Sequence, residues 1–581
     1  MTDEWTLEFS KEDILGRAFR VATTSVWAEA TDHERLTRVP VGSLIAFQGS
    51  SGSEYLVGIL DRVTRDLQDE AIPDEVDGDG VVPIDIRQRD LLRVVLLGTY
   101  RTVDGTKRNT FKRGADSFPL VEAPCWVVDG ANLQRLMGLL TKQLEPEKQL
   151  QLGVFVADPT AKAVADGDRL FQRHAALLGS TGSGKSWAVA LILERAKALP
   201  HANLLVFDMH GEYSPLTTGD DSIAQGLRIA GPGDLDAPDR DGVLYLPWWL
   251  LNQEEMQALL LDRAEINAPN QAARLTHHVR ELKRERLQAE GHDDVAARFT
   301  VDSPVPFELS ELLDQLHADD TEMVEGARAG TEKAGPFNGK LTRFINRLRA
   351  RTEDRRYGFM FEPPNGATKY EWLHELAKQL LGTRRGIKVI DFSEVPSDVL
   401  PIVVGVLARV LYEIRFWTSE DKRTPVTLVC DEAHLYLPAG AADTAELRAL
   451  DSFERIAKEG RKYGVSLLAV SQRPSDVSRT VLSQCNNFIV LRLTNDQDQA
   501  VIRRLMPDSM EGLTASLPLL DVGEALLLGD AIVLPTRIRL DQPKIKPSSA
   551  TKSFWTDWGT IPVVDDDLVE AVEAMRKQSR T

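Results

Sequence analysis

Residues 175–186 read AALLGSTGSGKS, a short apolar run that leads directly into eight residues beginning at Gly179. Those eight residues match G-x-x-x-x-G-K-[ST], the pattern of phosphate-binding loops. The pattern predicts a strand at AALL and a helix at WAVALILERAKAL, residues 187–199. Glycines let successive backbone N–H groups turn toward phosphate oxygens, and the helix N-terminus adds partial positive charge. We therefore expect a nucleotide site here, with ATP and Mg²⁺ as its cofactors.

The positions of this loop have distinct expected roles. Lys185 reaches the β- and γ-phosphates, and the Ser186 hydroxyl is a ligand of Mg²⁺. The alternative is a chance glycine turn, which the strand before it and the helix after it disfavour. The residues expected to bind the nucleotide are Ser180, Thr181, Gly182, Ser183, Gly184, Lys185, Ser186 and Trp187.

Two adjacent carboxylates follow a second apolar run. LVCDEAH, residues 428–434, places Asp431 and Glu432 where a buried strand ends. In a parallel sheet, the carboxyl ends of the strands face the edge that carries the phosphate-binding loop. Asp431 is then expected to bind Mg²⁺, and Glu432 to activate the attacking water as the catalytic base. A solvated Asp-Glu turn is the alternative.

Two other strand ends carry candidate catalytic side chains. Asp208 lies in FDMHGEY, residues 207–213, and is expected to tune the water or to support Glu432. Gln472 lies in AVSQRPSD, residues 469–476, and its amide can donate to a γ-phosphate while accepting from water. Ordinary polar strand ends are the alternative for both.

A basic helix is predicted at ELRALDSFERIAKEGRKYG, residues 446–464. Either Arg455 or Arg461 could reach the γ-phosphate of a neighbouring subunit as an arginine finger, a contribution of about 10³–10⁵ in rate. A solvated helix face is the alternative, and the sequence does not choose between the two arginines.

The chain changes character near residue 151. Residues 12–100 contain short alternating apolar stretches between turns, which predict a small barrel or sandwich. The acidic segment 65–81 is expected to be an exposed loop. From 151 onward, uniformly apolar strands alternate with helices, which is typical of a parallel sheet buried on both faces. Residues 250–385 are charged and rich in helical patterns, which indicates a helical insertion.

Composition restricts the class of protein. The chain of 581 residues has a formal net charge of −19, so nucleic acid would have to meet a local basic surface. Its three cysteines form no C-x-x-C pair, which disfavours a disulfide framework or a structural zinc and favours a cytoplasmic location. No apolar run approaches the roughly 18 residues of a membrane span, and the acidic start is no signal peptide.

Taken together, RHAALLGSTGSGKS, FDMHGEY, LVCDEAH and EGRKYGVSLLAVSQRPSD resemble the HerA family of ring-forming DNA motors. The N-terminal LGRAFRVATTSVWAEA, VPVGSLIAFQ and EYLVGILDRV are similar to that family's small β-barrel. The resemblance implies an α/β fold, a RecA-like P-loop NTPase core with a helical insertion and an N-terminal barrel. The expected domains are a partner-docking barrel (1–110), a linker (111–150), the ATPase core (151–249 and 386–540), the insertion (250–385) and a tail (541–581).

The resemblance also implies an ATP-driven homo-hexamer that passes double-stranded DNA through a central channel. An effector is expected at the barrel: a NurA-like nuclease, a sirtuin-type NAD hydrolase or another nuclease, in DNA end processing or anti-phage defence. Basic stretches at 277–288 and 340–357 are candidate phosphate contacts, although each also fits an amphipathic surface helix. Two alternatives stay open: an ATP-gated scaffold that activates its partner with little translocation, and a secretion or conjugation ATPase.

Overall fold

The computed structural model describes residues 6–71, 84–103, 108–114, 116–236, 241–328, 330–382, 386–440, 444–506, 511–548, 554–560 and 565–577. The chain divides into two compact units. The first unit comprises Met1–Arg195, Ser471–Ser475 and Cys485–Pro543. The second unit comprises Ala196–Val470, Asp476–Gln484 and Lys544–Thr581.

The first unit begins with a closed β-barrel. Its ring runs β2-β1-β7-β3-β4-β5 and closes where β5 pairs with β2, while β6 extends β5. Apolar side chains such as Leu15, Ile45 and Phe47 point inward and are fully buried, which explains the alternating sequence pattern. The strands are β1 (Gly16–Val21), β2 (Ser25–Ala30), β3 (Leu44–Gln48), β4 (Glu54–Ala71), β5 (Ile84–Val103), β6 (Arg108–Arg113) and β7 (Pro124–Val127).

The barrel differs from the sequence prediction in two places. Residues 65–71, expected in an exposed loop, continue β4 as a strand, while 72–81 lie outside the described residues. At the start of this segment, Arg65 lies across from the opposite charge of Asp90 on β5, and the two side chains are 3.6 Å apart. Such cross-strand pairs stabilise a ribbon that hydropathy alone assigns to a loop. Strand β7 also carries the barrel past residue 110, into the segment expected as a linker.

The first unit also contains six strands in the order β10-β19-β20-β21-β8-β9. Strand β10 is parallel to β19, and the remaining neighbours are antiparallel. These strands are β8 (Gln149–Phe155), β9 (Lys162–Asp166), β10 (Ala175–Leu178), β19 (Asn487–Val490), β20 (Glu524–Gly529) and β21 (Thr536–Leu540). Its helices are α1 (His33–Leu36), α2 (Gly130–Lys142), α3 (Gly167–Gln172), α4 (Lys185–Lys197), α15 (Asp496–Leu505) and α16 (Glu511–Ala515).

The second unit is built on a parallel sheet in the order β13-β12-β16-β11-β17-β18. Strands β11 and β17 are buried along their whole length, as their uniformly apolar sequences predict. The strands are β11 (Leu204–Asp208), β12 (Gln225–Ile229), β13 (Val243–Leu244), β16 (Ile387–Asp391), β17 (Val426–Cys430) and β18 (Val465–Ser471), with a separate hairpin of β14 (Met323–Glu325) and β15 (Glu332–Ala334).

Helices fill the rest of the second unit. Most residues of helix α12 are buried, and Gly405 lets it approach the backbone of α13 at Ala449. The helices are α5 (Gln253–Leu260), α6 (Ala268–Ala289), α7 (Asp293–Ala296), α8 (Leu309–Thr321), α9 (Thr342–Thr352), α10 (Gly358–Phe361), α11 (Trp372–Leu381), α12 (Leu400–Trp417), α13 (Thr444–Glu459), α14 (Arg479–Gln484), α17 (Phe554–Thr560) and α18 (Asp565–Lys577). The predicted α/β fold with an N-terminal barrel is confirmed. Across the described ranges, no helix has the length and apolar character needed to cross a membrane.

Candidate functional site

The phosphate-binding loop joins β10 to α4 in the first unit. Gly182 and Gly184 have φ values of 72° and 104°, a region that residues with a Cβ adopt only under strain. The loop closes through a turn in which the Ser183 N–H donates to the Ser180 carbonyl, and α4 begins at Lys185. The motif glycines therefore stand where the backbone requires them, and the strand–loop–helix context predicted from the sequence is confirmed.

Backbone hydrogen bonds hold this loop at three points. The Gly179 N–H donates to the Ser471 carbonyl at 3.2 Å, and the Ser180 N–H donates to the Arg492 carbonyl at 2.8 Å. On the far side of the loop, the Gly523 N–H donates to the Ser183 carbonyl at 3.2 Å. A loop fixed in this way is preorganised, so less ordering is left for the nucleotide to impose.

Gln472 lies against the phosphate-binding loop. The Thr181 hydroxyl donates to Gln472 Oε1 at 2.6 Å. With Oε1 engaged, the amide nitrogen of Gln472 is the end left to donate to a phosphate oxygen. The structure thus brings together two residues that the sequence separates by 291 positions.

The other predicted residues of the loop occupy the start of α4. Lys185 is 8% exposed, and its Nζ donates to the Ser180 carbonyl at 3.4 Å. Ser186 and Trp187 are half-buried in the first turn of the helix. The Ser183 hydroxyl is buried and has no hydrogen-bond partner among the described residues.

A cluster of buried carboxylates lies at the carboxyl edge of the parallel sheet in the second unit. Strands β11 and β17 are neighbours, with Phe207 opposite Cys430, so Asp208 and Asp431 leave the sheet side by side. Burial holds the pKa of Asp431 well above its usual range, and the charges of Glu432 and Asp208 act in the same direction. A divalent cation would relieve the repulsion among these charges, and Mg²⁺ is bound in phosphate-transfer sites through one or two carboxylates.

Asp208 organises the chain that follows β11. Its carboxylate is fully buried and accepts the backbone N–H groups of His210, Glu212 and Tyr213 at 3.3, 3.0 and 2.9 Å. Burial raises the pKa of Asp208 to about 6, against the hydrogen bond from Tyr213, which lowers it, and the neighbouring Asp391 carboxylate adds to the rise. Asp208 therefore fixes the backbone of residues 210–213 through these hydrogen bonds.

Asp391 is a member of the cluster that the sequence analysis did not single out. It ends β16 directly opposite Asp208 in the parallel register. Its carboxylate lies so near Gly211, where φ is 72°, that a Cβ on that glycine would be 3.5 Å from Asp391 Oδ2. The available signal was an aspartate at the end of the apolar run IKVID, the same signal that identified Asp208.

Glu432 adopts an uncommon backbone conformation. Its φ of 44° and ψ of 47° lie in the left-handed region, where residues other than glycine are rare and concentrate at functional sites. The side chain is 12% exposed, and Oε2 lies 3.3 Å from Nδ1 of His434. That oxygen accepts no hydrogen bond from any residue that the structure describes. Glu432 is therefore a buried carboxylate with an acceptor available for a ligand.

The two candidate arginine fingers differ in their surroundings. Arg455 stacks on the ring of Tyr412, with its guanidinium carbon 4.9 Å from the centroid, and lies 4.0 Å from Glu459. Arg461 is exposed in the turn that follows α13 and forms no side-chain ion pair within the described ranges. Of the two, Arg461 is the one whose guanidinium stays available to another molecule.

The two basic stretches carry fewer available charges than their sequences suggest. In 277–288, Lys283 is fully buried and donates to the carbonyls of Val301 and Ser303. In 340–357, most arginines face carboxylates of the second unit: Arg347 with Glu265, Arg351 with Asp398, Arg355 with Asp236 and Arg356 with Asp354. In the described part of the chain, the exposed arginines of these stretches that form no ion pair are Arg280, Arg343 and Arg349.

Comparison with known proteins finds a family model and relatives that are similar to this chain. The sequence profile described as "Helicase HerA, central domain" matches residues 150–411. A probable helicase of Methanocaldococcus jannaschii is 27% identical over 456 residues, which are 77% of this chain and 76% of that protein. The DNA double-strand break repair helicase HerA of Sulfolobus acidocaldarius is 28% identical over 392 residues, 66% of this chain and 68% of that one. Among solved structures, VirB4 of Thermoanaerobacter pseudethanolicus aligns with a TM-score of 0.45 at 17% identity, covering 68% of this chain and 98% of VirB4.

Proposed function

We propose that this chain, a P-loop ATPase that carries the HerA central domain, couples ATP hydrolysis to movement along double-stranded DNA. One observation carries the proposal: the loop at Gly179–Ser186 has the backbone geometry that phosphate binding needs, and the Gln472 amide is held against it. The matched residues 150–411 include this loop and Asp208. The relatives named as HerA are described as helicases of DNA double-strand break repair, which supports DNA as the polymer along which the protein moves.

In the proposed mechanism, the N–H groups of the loop bind the phosphates of ATP, and Lys185 neutralises the β- and γ-phosphates. Ser186 and Asp431 would hold Mg²⁺, which would neutralise charge that develops on the phosphates. Glu432 accepts a proton from the attacking water, and its Oε2, which accepts no hydrogen bond from the described residues, is suited to that role. Gln472 donates its amide N–H to the γ-phosphate.

Three supporting roles complete the mechanism. Asp208 fixes the loop after β11 through its backbone hydrogen bonds. Its negative charge also repels the adjacent carboxylates, which favours the binding of a cation. Arg461 of one subunit completes the site of the next in a homo-hexamer, because Arg455 is occupied by its stacking on Tyr412. An arginine supplied in this way makes hydrolysis depend on assembly.

DNA is expected to pass through the ring and to be held by its phosphates. The exposed arginines 280, 343 and 349 are the proposed contacts, because neighbouring cations are already paired. Contacts of this kind position the duplex without reading its sequence. We further propose a cytoplasmic location, on the cysteine usage of the sequence.

A DNA-stimulated ATPase assay tests the proposal. The wild-type chain should hydrolyse ATP slowly alone and faster with linear duplex DNA, and the stimulation should fade steeply between roughly 50 and 200 mM salt. Lys185→Ala is the matched control, because it removes phosphate binding and leaves the proposed DNA contacts in place. An ATPase rate indifferent to duplex DNA at low salt would contradict the motor function.

A partner-activating scaffold is the second candidate, and the barrel offers an observation that favours it. Between β6 and β7, Leu120 and Val121 are 70% and 61% exposed. Exposed adjacent apolar residues of this kind mark interaction surfaces. We propose that an effector docks here, a nuclease of the NurA type or another effector such as a sirtuin-type NAD hydrolase, in end processing or anti-phage defence. If an ATP-loaded Glu432→Gln assembly fully activates such an effector without hydrolysis, the scaffold function is favoured over translocation.

A further inference from the structure

Tyr213 occupies an unusual position beside the acidic pair. It lies five residues after Asp208, and its backbone N–H donates to Asp208 Oδ2 at 2.9 Å. The side chain is fully buried, with an exposed fraction of 0%. Its hydroxyl nevertheless has no hydrogen-bond partner in the described part of the chain. A polar group taken out of water without a partner destabilises the fold, so it calls for an explanation.

The other buried tyrosines of the second unit show that burial alone does not leave a tyrosine hydroxyl without a hydrogen bond. Each of them donates its hydroxyl to an acceptor: Tyr245 to the Asp234 carbonyl, Tyr357 to Asp398, Tyr412 to Glu459 and Tyr436 to the Asp431 carbonyl. Phenylalanine would fill the site of Tyr213 without the unsatisfied hydroxyl. The hydroxyl therefore makes the unliganded fold less stable than phenylalanine would. Groups that reduce stability in this way are typical of functional sites.

The surroundings of Tyr213 indicate what the hydroxyl is for. Burial holds its pKa well above the usual range, and the charges of Asp431 and Asp208 raise it further. A tyrosine hydroxyl has an ordinary pKa of about 10, so at neutral pH it carries its proton and is a donor. The charge of Glu432 also acts on Tyr213, and the buried Oε2 of Glu432 is an acceptor without a hydrogen bond from the described residues. A donor without a hydrogen bond thus lies in the same cluster as an acceptor that receives none, although that acceptor is 3.3 Å from His434 Nδ1.

We propose that Tyr213 is a positioning residue for hydrolysis: its hydroxyl donates to the Asp431–Glu432 pair in the nucleotide-bound state and fixes the direction in which Glu432 faces the attacking water. The inference rests on the ATPase function proposed above. Tyr213 touches neither the nucleotide nor the reacting atoms, and acts only through the orientation of the acidic pair.

Tyr213→Phe tests the inference with three measurements on the full chain. The melting temperature without nucleotide should stay the same or rise, because an unpaired hydroxyl is removed. The kcat for ATP should fall roughly 10-fold or more, since a preorganised donor typically contributes about 10²–10³ in rate. KM and the dissociation constant of a fluorescent ATP analogue, measured with and without Mg²⁺, should not change, because the phosphate-binding loop is intact.

Tyr245→Phe is the matched control, since its hydroxyl donates to the Asp234 carbonyl at 3.3 Å. That variant should melt at a lower temperature and keep the wild-type kcat, the opposite pattern. An unchanged kcat in Tyr213→Phe, or a lower melting temperature whatever its kcat, would overturn the inference. Either result leaves the ATPase function standing if the wild-type chain hydrolyses ATP, whereas a wild-type chain without hydrolysis refutes that function itself.

Discussion

The contact between Thr181 and Gln472 gives a prediction whose size follows from the structure. The Thr181 hydroxyl donates to Gln472 Oε1 at 2.6 Å and so aims the amide nitrogen. Thr181→Val keeps the shape and the backbone N–H groups of the loop but removes the donor. A hydrogen bond of this kind contributes a net 0.5–1.5 kcal/mol, so kcat should fall roughly 2- to 12-fold. Because Thr181 is exposed, the lower part of that range is expected.

A double-mutant cycle measures whether this effect passes through Gln472. Gln472→Ala should lower kcat more than Thr181→Val, and adding Thr181→Val to it should cause no further loss. Ser180→Ala is the matched control, because the Ser180 hydroxyl interacts with Thr494 instead. KM should be close to wild type in all of these variants. If Thr181→Val lowers kcat by the same factor with and without Gln472, the hydroxyl acts directly on the nucleotide and the reasoning is refuted.

Three further predictions concern the acidic cluster and the arginines. Glu432→Gln should bind ATP with wild-type affinity and lose turnover in a single-turnover assay; normal turnover would remove Glu432 as the base. Arg461→Ala should lower the ATPase rate of the assembled protein about 10³-fold or more, whereas Arg455→Ala should keep most of that rate. Equal losses in the two variants would contradict Arg461 as the arginine finger. The pKa of Asp208 is about 6 in the folded state and 3.8 in its ordinary state. Between these values the folded chain holds a proton that the unfolded chain has released. The free energy of unfolding without nucleotide should therefore fall as pH rises from about 4 to 6. By pH 7 this destabilisation approaches about 3 kcal/mol, and Asp208→Asn should flatten that part of the melting temperature profile; parallel profiles would argue against a raised pKa.

Much of the sheet could be predicted because buried parallel strands have uniformly apolar sequences. The runs at β10, β11 and β17 are four or five consecutive buried residues, the length that short buried strands have. Strand β12 is different, because in QGLRI only Leu227 and Ile229 are buried. A short strand with two buried residues has too weak a hydrophobic pattern to be found without its neighbours.

The site was predictable to the extent that its chemistry is local in sequence. The loop at 179–186 carries its own glycines, lysine and serine, so its geometry follows from one segment. The contribution of Asp391 depends on the register between β16 and β11, which no local pattern encodes. The unpaired hydroxyl of Tyr213 is likewise visible only when all of its neighbours are known.

For the basic stretches, the sequence overestimates the number of arginines that are free to bind DNA. The arginines of 340–357 were candidates for DNA contact as a group, but most of them meet carboxylates from distant segments, such as Glu265 and Asp236. Charge density along a helix therefore overstates the charge that the folded protein offers to DNA. Only the exposed arginines without such partners remain as candidates.

Displacement of a third strand from duplex DNA tests most directly whether ATP hydrolysis drives movement along DNA. The substrate is a linear duplex that carries a short triplex at one end, so that displacement requires travel along the duplex but no separation of its strands. The wild-type chain with ATP should release the third strand, whereas Glu432→Gln with ATP should bind and release none. ATP hydrolysis by the wild-type chain without release, or equal release without ATP, would contradict the account.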